Sequence, residues 1–257
     1  MGDDARAVVF GRDAAAYEEV RPSYPSAAID YLLGLVDAGD AVEVGAGTGK
    51  ATEAIAHEGL TITCLEPSPQ MAEILQSKAL PGVDVVVSKF EDWDAGPGSV
   101  DLVYAAQAWH WVDRETGLDR ALTLLRPGGV LALLWNVPLD RYARHLDAYQ
   151  SHAPHLLAER DARIKRRDHH DWCSDMAEAG FVETDRFTHS WSEELTADRY
   201  RALYSTYSDH MMLEEPTRTR LLDQLTSDVE TWGGTVEVEY RTEVFSGRRQ
   251  GAASRSE

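Results

Sequence analysis

The run VEVGAGTGK at residues 42–50 constrains this chain more than any other part of it. An apolar strand that ends in glycines and opens a helix lets a ligand approach bare backbone at the helix amino terminus. Three nucleotide-type patterns compete for such a run. The phosphate loop G-x-x-x-x-G-K-[ST] needs Gly at position 44 and Ser or Thr at 51, where Val44 and Ala51 stand. The dinucleotide fingerprint G-x-G-x-x-G, begun at Gly45, needs glycine or alanine where Lys50 stands; begun at Gly47, it needs one where Thr52 stands. What remains is E-x-G-x-G-x-G, with Glu43 ahead of Gly45, Gly47 and Gly49. A glutamate there holds the amino-acid end of a ligand, directly or through water, while the glycines admit its ribose and backbone.

The surrounding segments alternate strand and helix signals, the pattern of a parallel sheet covered by helices on both faces. Strands are expected at 41–44, 60–65, 83–87, 100–105 and in the continuous apolar run VLALLW at 130–135. Helices are expected between them: at 26–37, where Ile29, Leu32, Leu33 and Val36 share a face, at 50–58 with Gly59 as its stop, and after Ser68 and Pro69. Another passes through Leu118, Ala121, Leu122 and Leu125 and stops at Pro127 and Gly128. From Asp140 the composition shifts. Residues 140–170 read as polar helices or a long mobile connection, followed by a helix at 171–179, a strand from Phe181, and helices at 197–207 and 216–232. Val236, Val238, Tyr240, Thr242 and Val244 alternate with charged residues as a half-buried antiparallel strand does. The expected fold is an α/β Rossmann-like doubly wound sheet of about seven strands, five of them parallel, with an antiparallel terminal strand. One domain accounts for it: a cap at 1–25, a core at 26–136, elaborations at 137–247 that complete it, and a disordered tail at 248–257.

Composition narrows the partners. With 43% hydrophobic against 27% charged residues, the 257-residue chain can bury a sizeable core. Its net charge of −19 repels phosphate backbones and acidic membrane surfaces, so neither nucleic acid nor membrane is expected as a partner. No apolar run approaches the roughly 20 residues that span a bilayer, and MGDDARAVVF is acidic where a leader peptide is basic. Cys64 and Cys173 are too few for a disulfide scaffold or a thiolate metal site, which fits a reducing cytoplasm.

On these motifs the chain resembles the class I S-adenosylmethionine-dependent methyltransferases, specifically the small-molecule branch with the type 11 domain, over about residues 10–136. The resemblance implies that S-adenosylmethionine is the cofactor and S-adenosylhomocysteine the product. It assigns Glu43, Gly45, Ala46, Gly47, Thr48 and Gly49 to the methionyl and ribose region. Glu66, closing the second strand, would accept both ribose hydroxyls, for which a bidentate acid is suited. Pro67 and Met71 would pack on the adenine face, and Phe90 and Glu91, beside Lys89, would meet the adenine edge. In DLVYAAQAWHW, Ala106 and Gln107 inherit the contact to the methionyl ammonium, and His110 and Trp111 fall where the methyl group is faced. RPGG at 126–129 is the family's turn into the fifth strand. YEEVRPSYP resembles the segment that folds over the cofactor, giving Tyr17, Arg21 and Tyr24, with Arg21 toward the cofactor carboxylate. TYSDHMM resembles a stretch that lines the acceptor pocket through Tyr207 and His210.

Each assignment has a plainer counterpart. Met71 also fits an ordinary helix core, and Tyr17, Arg21 and Tyr24 also fit a surface cap. His110 is suited to act as a base, but methyl transfer to a good nucleophile needs only alignment, and Trp109 and Trp111 are either pocket walls or packing. Five histidines, His145, His152, His155, His169 and His170, crowd one stretch, yet Pro154 breaks the spacing of a helical ligand pair and no metal is expected. Two rival classes remain: a module that binds the cofactor without transferring the methyl, and a nicotinamide enzyme. The segment AAQA where N-P-P-Y types stand elsewhere, and the lack of a basic domain, disfavour protein or nucleic-acid acceptors.

Overall fold

Short apolar segments paired in parallel build the part of the molecule that carries the glycine run. The computed structural model describes residues 14–56, 59–140, 142–158 and 171–251. β1 (Gly39–Val44) lies between β2 (Leu60–Leu65) and β4 (Val100–Ala106), β3 (Val83–Val86) extends β2, and β5 (Leu125–Pro138) extends β4, all in parallel. β6 (Phe181–Thr196) and β7 (Thr235–Arg249) add the antiparallel terminal pairs, giving the order β3-β2-β1-β4-β5-β7-β6. This is the expected seven-stranded Rossmann-like sheet, mostly parallel and flanked by helices. Strand order reverses between β1 and β4, and in open α/β sheets ligands sit beyond the strand carboxyl ends at such a switch point. The glycine run follows β1 at that point.

The described residues form two compact units. Those within 22–136, 172–189 and 242–251 make a sheet unit, and those within 14–21, 137–171 and 190–241 a helical unit. Parts of β6 and β7 belong with the sheet unit. In the sheet unit Ile62, Cys64, Leu102, Tyr104, Ala132, Leu134 and Val244 form one buried cluster with Ile29 and Leu32 of α2 (Ser26–Leu33) and Ile55 of α3 (Lys50–Ile55). Each fully buried Leu or Ile there contributes roughly 1.5–3 kcal/mol. The start of α4 (Pro69–Ser77) is as expected, with the Ser68 hydroxyl accepting the Met71 N–H at 3.4 Å and proline in the first turn. α7 (Trp172–Glu178) also belongs to this unit, with Trp172 stacked on Trp135 at 5.5 Å.

Three local expectations are corrected. α3 ends at Ile55, short of Gly59, with Ala56 capping it. RPGG does not stop a helix: α5 (Arg114–Leu124) is already over, and the segment bulges out of β5, whose register on β4 jumps from Val100↔Leu125 to Leu102↔Val130. Gly128 takes φ +86° in that bulge. Arg248 and Arg249, placed in a disordered tail by sequence, complete β7, where Arg248 donates to the carbonyls of Leu35 and Gly128 at 2.9 and 3.0 Å. The remainder of that tail, 252–257, lies outside the described residues.

The helical unit gathers α1 (Ala14–Val20), α6 (Leu146–His152), α8 (Ala197–Ser205), α9 (Ser208–Met211) and α10 (Glu215–Thr231) around Tyr149, Tyr200, Tyr204, Leu221, Leu225 and Tyr240. His145, expected in a polar connection, is buried in it. Its Nδ1 meets Asp228 at 2.7 Å and its Nε2 the Tyr200 hydroxyl at 2.9 Å. Burial lowers its pKa against the opposing pull of Asp228. His169 and His170 lie outside the described residues. No described helix is long and apolar enough to cross a membrane.

Candidate functional site

The turn after β1 is held by three left-handed glycines, with φ +67° at Gly45, +58° at Gly47 and +87° at Gly49. An L-residue in that region costs about 1–2 kcal/mol. The space around the three differs. A Cβ on Gly45 would lie 2.5 Å from the Ala108 Cβ, and one on Gly49 would run into Leu75. One on Gly47 meets nothing nearer than the Met71 sulfur at 4.0 Å. Packing therefore demands glycine at 45, whereas at 47 the bare backbone faces open space. Gly45→Ala is expected to destabilise the fold by about 2–4 kcal/mol, strain and overpacking together, and Gly47→Ala by only about 1–2. Equal losses for both in urea denaturation would sink this steric distinction.

Two acids brace the turn. Glu66, just past β2, accepts the Gly47 N–H at 2.7 Å on Oε2 and the Ser68 N–H at 2.8 Å on Oε1. Burial pushes its carboxyl pKa up, and the two backbone N–H groups pull it back. A carboxylate has about four lone-pair sites, so about two remain for further donors. Glu43 is enclosed by protein, at 1% exposure. Its Oε2 accepts the hydroxyls of Thr52 at 2.5 Å and Tyr104 at 2.8 Å and the Cys64 thiol at 3.8 Å. Burial pushes this carboxyl up to about 7, and pushes the Cys64 thiol and Tyr104 hydroxyl up as well, so those two stay protonated. Glu43 thus ties β1 to α3 and β4 at the base of the turn.

Thr48 is buried, and its hydroxyl has no hydrogen-bond partner among the described residues. An orphan donor inside a ring of left-handed glycines, beside a carboxylate with spare lone pairs, fits a ligand that carries both acceptors and hydroxyls. Ala46 lies in the same turn, its N–H donating to Leu65 O at 3.0 Å. Of the residues expected along the adenine, Met71 is buried while Pro67 is exposed. Phe90 is buried against Trp109, with ring centroids 5.7 Å apart, whereas Glu91 is exposed and accepts the Asp113 N–H at 3.4 Å.

Past β4 the backbone is strained. Ala106 ends the strand, and Gln107 follows at φ +61°, its N–H bonded to Leu134 O and its Nε2 to Asn136 O, both at 2.8 Å. Asn136 was not singled out by sequence, although a polar residue directly after VLALLW is a signal. Its Oδ1 accepts the Thr242 hydroxyl at 2.6 Å, and its Nδ2 donates to Ser23 O at 3.1 Å, one residue before half-buried Tyr24. Trp109, His110 and Trp111 form a 3-10 turn. Trp109 is fully buried, its Nε1 unpartnered among the described residues, and His110 is exposed, its ring 4.6 Å from that of Trp111.

Tyr17, Arg21, Tyr207 and His210 belong to the helical unit. The Arg21 guanidinium carbon lies 5.0 and 4.4 Å from the ring centres of Tyr17 and Tyr207. His210 is fully buried; its Nδ1 meets the Tyr204 carbonyl at 2.8 Å and its Nε2 the Tyr149 hydroxyl at 3.0 Å. A carbonyl only accepts, so Nδ1 carries the proton, and the ring serves as a strut.

Comparison with known proteins agrees with this geometry. A family described as a methyltransferase domain matches residues 42–133. An uncharacterized methyltransferase of Mycobacterium tuberculosis is 42% identical over 132 residues, 51% of this chain and 54% of that protein. The match thus spans about half the length of that curated relative. A trans-aconitate 2-methyltransferase of Delftia acidovorans is 33% identical over 114 residues, 42% of each protein. A solved structure from Anaeromyxobacter dehalogenans, provisionally described as a type II methyltransferase, has a TM-score of 0.67 at 26% identity, covering 90% of this chain and 99% of that one. The match begins within β1 and takes in the glycine turn, Glu66 and the strained end of β4, so residues 42–133 are a methyltransferase domain of type 11 kind, similar to those of the class I S-adenosylmethionine-dependent methyltransferases.

Proposed function

We propose that the protein transfers a methyl group from S-adenosylmethionine to a small organic molecule by in-line displacement. The observation that carries this reading is the open backbone at Gly47, set between the orphan Thr48 hydroxyl and the Glu66 carboxylate. When bound, the cofactor supplies a methyl group activated by its sulfonium. The protein's own part is binding and alignment. Glu66 uses its remaining lone pairs for the ribose diol, and Thr48 donates to an acceptor at the methionyl end. Phe90 and Met71 wall the adenine, and the strained carbonyl end of β4 at Ala106 and Gln107 receives the ammonium. Glu43 acts from below, by holding the turn. The net charge of −19 supports a small acceptor over nucleic acid, and two free thiols support a cytoplasmic setting.

Equilibrium dialysis tests the first half of the reading: S-adenosylhomocysteine is expected to bind the parent protein and to bind Gly47→Ala at least tenfold more weakly, although that variant stays folded. No binding to the parent would overturn the proposal. Mass spectrometry across a panel of small acceptors tests the second half by the gain of one CH2. Bound cofactor with no methylated product from any acceptor would favour a binding module. His110 is exposed in the turn after β4 and is proposed as the base for an acceptor that must lose a proton. His110→Ala is expected to lower turnover, and unchanged turnover at every pH would remove it from that role.

A further inference from the structure

Two histidines of the crowded stretch, His145 and His152, bracket α6 and border a cavity of about 620 Å³. That volume falls within the range of small-molecule sites, roughly 300–1,000 Å³. One wall is α6 with the 3-10 turn Ala143–His145 that leads into it; the other is the C-terminal half of α10 with Trp232 at its end. The whole lining belongs to the helical unit, and none of it is assigned to the cofactor or the methyl acceptor. Among the described residues no three histidine, cysteine, aspartate or glutamate side chains gather as metal ligands do.

The cavity has an apolar side. Leu146 is 42% and Trp232 45% exposed, and both line it, so an apolar pair faces the cavity rather than one scattered residue. The indole is held in place by the His145 ring, with centroids 4.9 Å apart, and by the Arg144 guanidinium carbon, 5.9 Å from its ring centre. A fixed, half-bare indole offers a face to a flat apolar group or to a cation.

The polar side is rich in acceptors. Asp147 and Ser151, four residues apart on one face of α6, make no hydrogen bond or ion pair among the described residues. From the other wall, Asp228 meets His145 Nδ1 at 2.7 Å on Oδ2 and accepts Gln224 Nε2 at 2.9 Å on Oδ1, which leaves about two of its lone pairs and the Gln224 carbonyl oxygen. Burial lowers the His145 pKa, so at neutral pH Asp228 receives a hydrogen bond from it and no countercharge. The arginine of the lining is engaged elsewhere: Arg144 donates from Nε to Asp140 at 3.4 Å and from Nη1 to the Glu237 carbonyl at 2.8 Å. Two carboxylates without a cation of their own thus share a cavity with a half-bare indole.

We propose that this cavity binds an ammonium ion carrying a flat apolar group, with the group against Trp232 and Leu146 and the N–H donors on Asp147 and Asp228. An ammonium with N–H groups suits the acceptors better than a quaternary one, which has no hydrogen to donate. The net charge of −19 draws such a cation and repels an anion of the same shape. The proposal does not depend on the methyltransferase reading, because no residue of the cavity serves that reading.

Calorimetric titration of the full chain with 2-phenylethylammonium tests it, beside 2-phenylethanol, ethylammonium and phenylacetate at matched ionic strength. The arylalkyl ammonium is expected to saturate, the alcohol and ethylammonium to bind about tenfold more weakly or not at all, and phenylacetate to fail. Asp147→Asn and Trp232→Leu should each weaken the ammonium about tenfold. Asp147 has no hydrogen bond or ion pair to lose among the described residues, so the thermal midpoint of Asp147→Asn should match the parent's. Its loss of affinity is then a loss of binding and not of fold. Parent-like affinity in Asp147→Asn, equal affinity for the ammonium and the alcohol, or no saturation by the ammonium would overturn the proposal.

Discussion

Glu43→Gln is expected to flatten the dependence of stability on pH between about 4.5 and 7. Burial holds the Glu43 carboxyl at about 7 in the fold against an ordinary 4.5, so the folded protein takes up a proton that the unfolded chain releases in this window. The stability linked to that proton is fully present below about 4.5 and is lost as pH rises through about 7. At most it amounts to about 3 kcal/mol. Cys64 and Tyr104, the other titratable groups on this carboxylate, are held protonated by burial and do not titrate in the window, while the charge on Glu66 pushes Glu43 further up. Glutamine mimics the protonated acid, and the single oxygen that receives both Thr52 and Tyr104 can remain a carbonyl. Urea midpoints measured from pH 4 to pH 9 decide it. The parent should lose stability across neutrality where the variant does not, and parallel curves would show that Glu43 is ionised throughout.

The same substitution at Glu66 is expected to do the reverse. Both Glu66 oxygens accept backbone N–H groups, one from Gly47 and one from Ser68. An amide has only one oxygen, so Glu66→Gln sets an NH2 against one of those donors whichever way it turns. An unsatisfied buried donor costs about 1–3 kcal/mol. The larger effect falls on binding, because the turn that presents Gly47 loses its brace and the proposed contact to the ribose hydroxyls loses an acceptor. S-Adenosylhomocysteine affinity should fall at least about 100-fold, more than for Gly47→Ala, with far-ultraviolet circular dichroism unchanged. An affinity within threefold of the parent would show that Glu66 is a structural brace alone.

The parts of the site that sequence made legible are those with a local cause. Gly45, Gly47 and Gly49 are readable because left-handed backbone favours glycine, and Ser68 with Pro69 because a helix start has its own chemistry. Glu66 is readable because it ends an apolar strand. The parts that stayed hidden depend on partners far along the chain. Asn136 gains its role from Ser23 and Thr242, 113 and 106 residues away, and Arg248 from Leu35, 213 residues away. RPGG carries the composition of a helix stop, and only its pairing with β4 turns it into a bulge. In the helical unit, Tyr200, Tyr204, His145 and His210 read as polar residues, yet they are buried by bonding one another and the backbone, a mutual satisfaction that leaves no trace in hydrophobic periodicity.

β7 follows β6 in the chain but lies between β5 and β6 in the sheet. During synthesis the supports of the glycine turn, β1, β2 and β4, emerge first, whereas β6 has no sheet neighbour to pair with until β7 has been made. The same late strand brings Thr242, whose hydroxyl anchors Asn136 and through it the edge at Gln107. Such distant closure slows folding more than it weakens the folded state, since loop entropy grows only with the logarithm of length. A nascent chain halted before β7 therefore holds the glycine turn while the neighbouring edge at Gln107 is still unfinished.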